Sequence, residues 1–232
     1  MALDFTGQRC VVTGGGRGMG REYALLLAAR GASVVVNKCA GFPCPAALCS
    51  GSLCAAPPPS GPDVPALTRA RNARSRTPEK ADEVVAEITA AGGTAIADYS
   101  DVATAGEQAV EACVAAFGGI DVLISNAGQL EDRSLKNMTV EEFTSVVTTH
   151  AIGGFRAMKG AWPHMNEQKK GRIVFIGSIA AWYGGFGQGN CAFSNGRALA
   201  LSPQLTCGCC CRQTRRPRAR WQVSARSARS RA

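Results

Sequence analysis

Short apolar runs alternate along this chain with longer stretches in which apolar residues recur at helical spacing. Runs rich in valine and isoleucine predict strands at 10–14, 33–37, 94–100, 120–128 and 171–178. Stripes at helical spacing predict helices at 21–32, 77–93, 104–118 and 139–165, and a further helix that carries residues 191 and 195. Strands and helices in this order predict the α/β class, with a doubly wound parallel sheet whose strands are buried on both faces.

Helix ends are predicted from capping residues. Thr104 with Glu107, and Thr139 with Glu142, have the spacing of capping boxes at the starts of two of the helices. Pro203 would remove a backbone donor and clash with the preceding turn, so the final helix should end near Leu201 or Ser202.

Two segments interrupt the alternation. Residues 39–77 show no usable periodicity and contain seven of the eleven prolines, and residues 206–232 are low in complexity. A compact domain rarely holds so long a structureless loop. We therefore predict one domain over 1–205 with a disordered insertion at 39–77, followed by a disordered Arg/Cys-rich tail at 206–232.

The formal net charge of +9 belongs to these two segments. Residues 39–78 carry a local +3 and residues 206–232 a local +8, which leaves −2 for the rest of the chain. Arginines concentrated in solvated, disordered runs do not define a binding surface on the folded body. The charge therefore does not predict a nucleic-acid partner.

The eleven cysteines are divided in the same way, because eight of them lie in or beside the two segments. Four recur every five residues among prolines and alanines, which gives no framework for a tetrahedral zinc site, so we expect no metal. The first ten residues lack the charged start and apolar run of a signal peptide, and no apolar run is long enough to predict a membrane span.

A glycine-rich turn, TGGGRGMG at 13–20, directly follows the first strand and opens the first helix. Glycines in this position let the backbone turn sharply and approach a pyrophosphate, which then rests on the helix N-terminus. Because the sequence NAG also closes the fourth strand, at 126–128, the pattern predicts a dinucleotide site.

With these motifs the chain resembles the short-chain dehydrogenase/reductase family over about residues 3–38 and 79–205, which implies a Rossmann-type sheet, here truncated after the fifth strand. The resemblance implies NAD(P)(H) as cofactor and assigns catalytic roles to the positions of Ser178, Cys191 and Asn195. His150, in the long helix, is a weaker candidate for a catalytic role. The candidate cofactor-binding residues are Thr13, Gly14, Arg17, Gly18, Met19, Gly20, Asn37, Lys38, Asp101, Val102, Asn126, Ala127 and Gly128.

The family's reaction needs a tyrosine that exchanges a proton with the substrate oxygen and, one helical turn later, a lysine that lowers the pKa of the tyrosine and binds the nicotinamide ribose. This chain has Cys191 and Asn195 at those positions, while Ser178 matches the serine that holds the substrate oxygen. A thiol ends too near the backbone to replace a phenol, and an amide carries no charge. The resemblance therefore predicts impaired chemistry.

The sequence does not choose between NAD and NADP. Family members specific for NAD usually place an acid after the second strand, whereas this chain has Asn37 and Lys38 there and Arg17 in the glycine loop. Within the family, the chain is similar to the 3-hydroxyacyl-CoA dehydrogenase domain of peroxisomal multifunctional enzymes. That similarity implies a hydroxyacyl or carbonyl substrate, and a homodimer formed through the long helix is compatible with it.

No targeting signal is clear in the chain, because Ser230-Arg231-Ala232 only approaches a peroxisomal address, so a cytoplasmic or a peroxisomal location fits. Three interpretations stay open at this point: a working oxidoreductase, a catalytically dead nucleotide-binding protein, and an aberrantly spliced or frameshifted product of a dehydrogenase gene. The third rests on the shared arginine, alanine, proline and cysteine richness of the two irregular segments.

Overall fold

The computed structural model describes residues 3–38 and 79–201, with side chains as far as residue 196. In these residues the strands are β1 (Arg9–Val12), β2 (Ser33–Asn37), β3 (Thr94–Asp98), β4 (Val122–Ser125) and β5 (Arg172–Phe175). All neighbours pair in parallel, in the order β3-β2-β1-β4-β5. The predicted doubly wound parallel sheet is therefore confirmed. The predicted insertion and tail lie outside the described residues.

Helices cover both faces of this sheet. They are α1 (Gly18–Ala28), α2 (Glu79–Ala90), α3 (Val102–Ala105), α4 (Gln108–Phe117), α5 (Val140–Val147), α6 (Gly154–Glu167), α7 (Ala180–Tyr183) and α8 (Gly189–Leu201). Cys10 and Val12 face a core formed with α1 and α2, whereas Val11 faces a core formed with α4 and α6. Alternate side chains of one strand thus fill two cores, because successive Cβ atoms point to opposite faces.

Burial on both faces holds for the central strands and fails at the edges of the described sheet. Strands β1, β2 and β4 are almost wholly buried, but β5 alternates between exposed and half-buried residues, and β3 is mostly half-buried. Only a strand with neighbours on both sides is covered completely by the layers of helices. The expectation of fully buried strands was therefore wrong for β3 and β5.

The long helix predicted at 139–165 is divided in the structure. Helix α5 begins with the predicted capping box, in which Thr139 Oγ1 accepts from the Glu142 N–H at 3.2 Å and Glu142 Oε2 accepts from the Thr139 N–H at 3.0 Å. Between α5 and α6, residues Thr148–Gly153 form a π-helical turn. Such turns occur frequently at functional sites, and this one carries His150.

The capping box predicted at Thr104 and Glu107 was wrong. Thr104 lies within α3, and Asp101 caps that helix by accepting from the Ala103 N–H at 2.9 Å. Glu107 precedes α4 in a helical conformation and makes no capping hydrogen bond through its side chain. Both residue pairs had the required spacing, but at 104–107 a short helix already occupies the place of the cap.

Asp121 connects the amino ends of the strands. Its carboxylate, only 3% exposed, accepts from Arg9 Nε at 2.8 Å and lies 3.3 Å from Lys170 Nζ. Burial alone would raise the pKa of this carboxyl, but the hydrogen bonds and charges of Arg9 and Lys170 outweigh it and lower the pKa. The ionised carboxylate therefore stabilises the fold at neutral pH.

We expect Asp121→Asn to lower the free energy of unfolding by about 2 kcal/mol at pH 7, because Arg9 loses its buried anionic partner. Since the pKa of Asp121 is lower in the folded chain, its contribution is present above the ordinary aspartate pKa and is lost as the pH falls through the folded value. Urea denaturation should show a difference between variant and parent that shrinks below about pH 4. The exposed Glu22→Gln is the control, and a difference independent of pH would contradict the expectation.

Candidate functional site

The glycine turn and the NAG turn are held together by Thr13. Its hydroxyl oxygen accepts from the backbone N–H groups of Asn126 at 3.0 Å and Ala127 at 3.1 Å. In return, Asn126 Nδ2 donates to the carbonyl oxygens of Thr13 at 3.1 Å and Gly14 at 3.3 Å. The carboxyl ends of the adjacent strands β1 and β4 thereby form one rigid edge, which is where ligands bind in open α/β sheets.

Two glycines of the turn are required by close contacts. A Cβ atom on Gly20 would lie 2.3 Å from the Gly14 carbonyl oxygen, and one on Gly14 would lie 2.8 Å from Ala127 Cα. Gly14 also has φ +66°, in the left-handed region that favours glycine. The turn therefore packs against the first turn of α1 and against the NAG turn as closely as backbone allows.

The N-terminus of α1 fits an anionic group. Arg17 precedes the helix in an extended conformation and makes no capping hydrogen bond with its side chain, and a Cβ atom on Gly18 would meet no described residue within 4 Å. The first N–H groups of a helix carry a partial positive charge that favours phosphate. Arg17 and Met19 are exposed on the same turn, so the residues present fit the pyrophosphate of a dinucleotide.

Asn37 is directed into the protein. It is almost fully buried, its Oδ1 accepts from the Gly14 N–H at 3.4 Å, and its Nδ2 donates to Asp98 and to the Ser100 carbonyl oxygen. The side-chain amide was predicted as a cofactor contact. In the structure it supports the glycine turn by accepting a hydrogen bond from Gly14. Asp98 and Ser100, which sequence reasoning did not select, complete this polar cluster, and no signal in the sequence identified them.

Lys38 follows β2 beside the glycine turn. The residue is 8% exposed, its backbone N–H donates to the Asp98 carbonyl oxygen at 2.8 Å, and a Cβ atom on Gly16 would lie 3.1 Å from Lys38 Cγ. Further along the same edge, Asp101 is exposed and Val102 is buried at the start of α3. These residues follow the carboxyl ends of β2 and β3, and their contact with the adenosine of a dinucleotide stays a prediction.

Cys191 and Asn195 lie one turn apart on α8 and are both buried. Asn195 is 6% exposed, and its Nδ2 donates to the Cys191 carbonyl oxygen at 2.9 Å and lies 3.4 Å from Cys191 Sγ. Cys191 is 4% exposed. Ser178 lies before α7, where its Oγ accepts from the Ala180 N–H at 3.2 Å. The Cys191 and Asn195 side chains thus contact each other and are buried.

His150 lies between the NAG turn and α8 and contacts both. The sequence did not predict these contacts. The Asn195 amide lies 3.2 Å from His150 Nδ1, and Ser194 Oγ lies 3.4 Å from the same atom. On the other side of the ring, the Gln129 N–H donates to Nε2 at 2.9 Å, and Gln129 O is 3.0 Å from Nε2. Gly128 approaches the ring so closely that a Cβ atom would be 2.9 Å from Nε2.

The environment of His150 favours its neutral form, because burial lowers the pKa of the ring, although the bond to the Gln129 backbone raises it. In one tautomer Nε2–H donates to the Gln129 carbonyl oxygen and Nδ1 accepts from Asn195; in the other, Nε2 accepts from the Gln129 N–H. In both, an uncharged ring connects the NAG turn to α8 at neutral pH.

We expect the pH dependence of stability to reveal His150. Because its pKa is lower in the folded chain, stability should fall as the pH drops below about 6.5, with a slope of up to about 1.4 kcal/mol per pH unit from this group. His150→Gln should remove that part of the slope in denaturation experiments between pH 7 and pH 5. His164→Gln is the matched control. An unchanged slope in His150→Gln would show that the ring is not buried in its neutral form.

Among the residues the structure describes, no helix is long and apolar enough to cross a membrane. In this described part of the chain, histidine, cysteine and acidic side chains do not cluster in groups that could hold a metal ion.

Comparisons with known proteins agree with the fold. The family model for short chain dehydrogenase matches residues 70–195. The chain is 41% identical over 203 residues to the peroxisomal hydratase-dehydrogenase-epimerase of Saccharomyces cerevisiae, covering 88% of this chain and 19% of that protein. It is 36% identical over 187 residues to a 3-oxoacyl-[acyl-carrier-protein] reductase of a Synechocystis species, covering 80% of this chain and 61% of the reductase.

Among solved structures, a short chain dehydrogenase from Mycobacterium avium superposes with a TM-score of 0.66 at 35% sequence identity, covering 86% of this chain and 62% of that one. The chain thus spans less than two thirds of the length of each of these relatives. The parallel sheet, the family match and the identities agree: the chain belongs to the short-chain dehydrogenase family, whose members are oxidoreductases that generally bind NAD(P)(H) and act on small molecules.

Proposed function

We propose that this chain binds NAD(P)(H) at the carboxyl ends of β1, β2 and β4 but performs the family's oxidoreduction poorly or not at all. One observation carries the proposal: Cys191 and Asn195, which the resemblance places at the positions of the family's tyrosine and lysine, are both buried and hydrogen-bonded within the protein. The candidate cofactor residues, in contrast, form a closely packed turn at a helix N-terminus.

The dinucleotide, when bound, supplies the carrier for hydride. The chain's own residues would then have to hold the substrate oxygen and move a proton at that atom. Ser178 is placed at the start of α7 and could hold the oxygen. Neither the Cys191 thiol nor the Asn195 amide reaches outward to exchange the proton, and Tyr183 is 86% exposed at the end of α7. The site can thus bind a dinucleotide, but it has no effective acid or base to exchange a proton with the substrate.

For the substrate class, we propose a hydroxyacyl or carbonyl compound. The 3-oxoacyl-[acyl-carrier-protein] reductase and the hydratase-dehydrogenase-epimerase among the relatives support this class. The relatives named as peroxisomal support a peroxisomal location, with the cytoplasm as the alternative. We further propose a single Rossmann domain over 1–205 and a homodimer formed through the π-turn and α6, where Ile152 and Phe155 are exposed.

A second interpretation is supported by the composition of 39–77 and 206–232, which is rich in arginine, alanine, proline and cysteine. These segments fit translated sequence that was not selected to fold, as in an aberrantly spliced or frameshifted product of a dehydrogenase gene. Sequencing the transcript across residues 30–232 distinguishes the two. If the predominant transcript encodes both segments, this chain is the main product of its gene and the first proposal stands. If the predominant transcript lacks them, this chain is the aberrant product.

The proposed function is tested by measuring binding and turnover on the same preparation. Titration of NADH and NADPH by fluorescence should show saturable binding, and the same protein should show no cofactor oxidation with a 3-oxoacyl thioester. Absence of binding at millimolar cofactor would contradict the proposal. Rapid turnover would contradict its second half.

Lys38 should influence which dinucleotide is preferred. Because its side chain lies against the glycine turn at Gly16, an acid in its place would repel the 2′-phosphate of NADPH. We expect Lys38→Asp to weaken NADPH binding at least about tenfold more than NADH binding. Lys136→Asp, an exposed substitution of the same charge, is the matched control. Equal weakening of both cofactors by Lys38→Asp would show that Lys38 does not contact the 2′-phosphate.

A further inference from the structure

The two halves of the site differ in what they still offer a ligand. On the nucleotide side, the glycine turn packs on the NAG turn. At the N-terminus of α1, a helix of 11 residues without a side-chain cap from Arg17, no described residue lies within 4 Å of a Cβ atom placed on Gly18. These features suit the phosphates of an adenosine diphosphate. They do not depend on anything beyond the second phosphate.

On the reaction side, the group that would hold the ribose next to the nicotinamide is missing. The resemblance assigns that contact to a lysine at position 195, but here the Asn195 amide donates to the Cys191 carbonyl oxygen and faces His150 Nδ1 at 3.2 Å. In either tautomer of His150 the amide has an acceptor inside the protein, the Cys191 carbonyl oxygen, and the residue is almost fully buried. Turning the amide outward would break this hydrogen bond and the contact with His150.

Cys191 cannot take over the contact. Its side chain is buried, and its backbone N–H lies 2.7 Å from Asn190 Oδ1, to which it donates. Asn190 is fully buried and is fixed in turn by donating from Nδ2 to the Glu131 carbonyl oxygen at 2.8 Å. The start of α8 is therefore held by contacts within the protein, and neither Cys191 nor Asn195 offers a donor to a ribose hydroxyl.

We infer that this chain recognises the ADP portion of its ligand alone, and so binds ADP, ADP-ribose and NAD(H) with similar affinity. The inference rests on the proposed nucleotide binding and specifies the part of the ligand that is recognised: the ligand class is adenosine diphosphates in general. A family member with an intact site gains additional affinity from the distal ribose, whereas here Asn195 and Cys191 withhold that contribution. The chain would then respond to the total pool of such nucleotides and not to the redox state of one of them.

The test is isothermal titration of the full chain with ADP, ADP-ribose and NADH at one ionic strength. We expect three dissociation constants that agree within about threefold. If NADH binds more than about tenfold more tightly than ADP, the inference is overturned while the proposed nucleotide binding stands. If none of the three binds at millimolar concentration, the proposed binding and the inference both fail.

A variant makes the assignment to position 195 specific. Asn195→Lys should increase the affinity for NADH relative to ADP by at least about fivefold, because the longer side chain carries its charge beyond the Cys191 carbonyl oxygen. Thr94→Lys adds the same charge at the amino end of β3, on the opposite edge of the sheet, and should leave the ratio unchanged. A ratio that does not change in Asn195→Lys would overturn the role given to Asn195.

Discussion

The unmodified chain should show no dehydrogenase turnover above the rate without protein, with either NADH or NADPH and a 3-oxoacyl thioester. General acid–base catalysis contributes about 10²–10⁴-fold to such reactions, and a preorganised charge contributes about 10²–10³-fold. The resemblance assigns these effects to a tyrosine and a lysine at positions 191 and 195, where this chain has a buried cysteine and a buried asparagine. Cofactor absorbance at 340 nm measures the rate, and substantial turnover would contradict this account of the site.

Restoring the tyrosine and the lysine together distinguishes two causes of the missing dehydrogenase turnover. We expect Cys191→Tyr/Asn195→Lys to bind cofactor but still to lack substantial turnover, because the apolar residues that follow Ser178 are open to solvent in the described part of the chain. These exposed residues are Ile179, Trp182, Tyr183 and Phe186. Water that is not excluded weakens every electrostatic interaction in a site.

The two single variants serve as controls, because residues that act as a unit give non-additive losses. If the double variant becomes active, the scaffold is sound and the two positions alone explain the missing reaction. If the double variant binds cofactor but shows no turnover, the exposure to solvent of the residues that follow Ser178 is the dominant defect.

Gly20→Ala should abolish nucleotide binding. The added methyl group would lie 2.3 Å from the Gly14 carbonyl oxygen and 2.5 Å from Asn126 Nδ2, so the glycine turn and the NAG turn would have to separate. We expect a loss of affinity for NADH of at least about 100-fold, equivalent to about 2.7 kcal/mol. Fluorescence titration measures it.

Gly196→Ala is the matched control, because a Cβ atom there meets nothing within 4 Å and alanine favours the helix. A circular dichroism melt of both variants distinguishes lost binding from lost folding. Undiminished binding by a folded Gly20→Ala would mean that the nucleotide does not depend on this turn.

Much of the fold could be predicted from the sequence, because the strands of a parallel sheet that are buried on both faces have continuous apolar sequences. Strand β2 has the predicted bounds, whereas β4 and β5 are shorter than their apolar runs. The π-helical turn at Thr148–Gly153 could not be predicted, because its apolar spacing differs little from that of an α-helix. The cap at Asp101 was missed because a helix of four residues has no periodicity.

The site divides in the same way. The glycine turn was visible in the sequence because its glycines are required by local geometry, as the contacts at Gly14 and Gly20 show. The contact between His150 and Asn195 spans 45 positions and follows only from the packing of the π-helical turn against α8. The replacement of the family's tyrosine and lysine by Cys191 and Asn195 stays a prediction from the sequence, and the sequence did not reveal that the Asn195 amide lies against His150.

The central claim is that the nucleotide binds at the glycine turn (13–20) and the NAG turn (126–128) without contacting Cys191 or Asn195. Amide hydrogen exchange with and without saturating NADH tests this claim most directly. We predict slower exchange at 13–20 and at 126–128 on addition of NADH, and unchanged exchange at 189–196, because Cys191 and Asn195 are already bonded within the protein. Protection at 189–196 equal to that at 13–20 would contradict the claim.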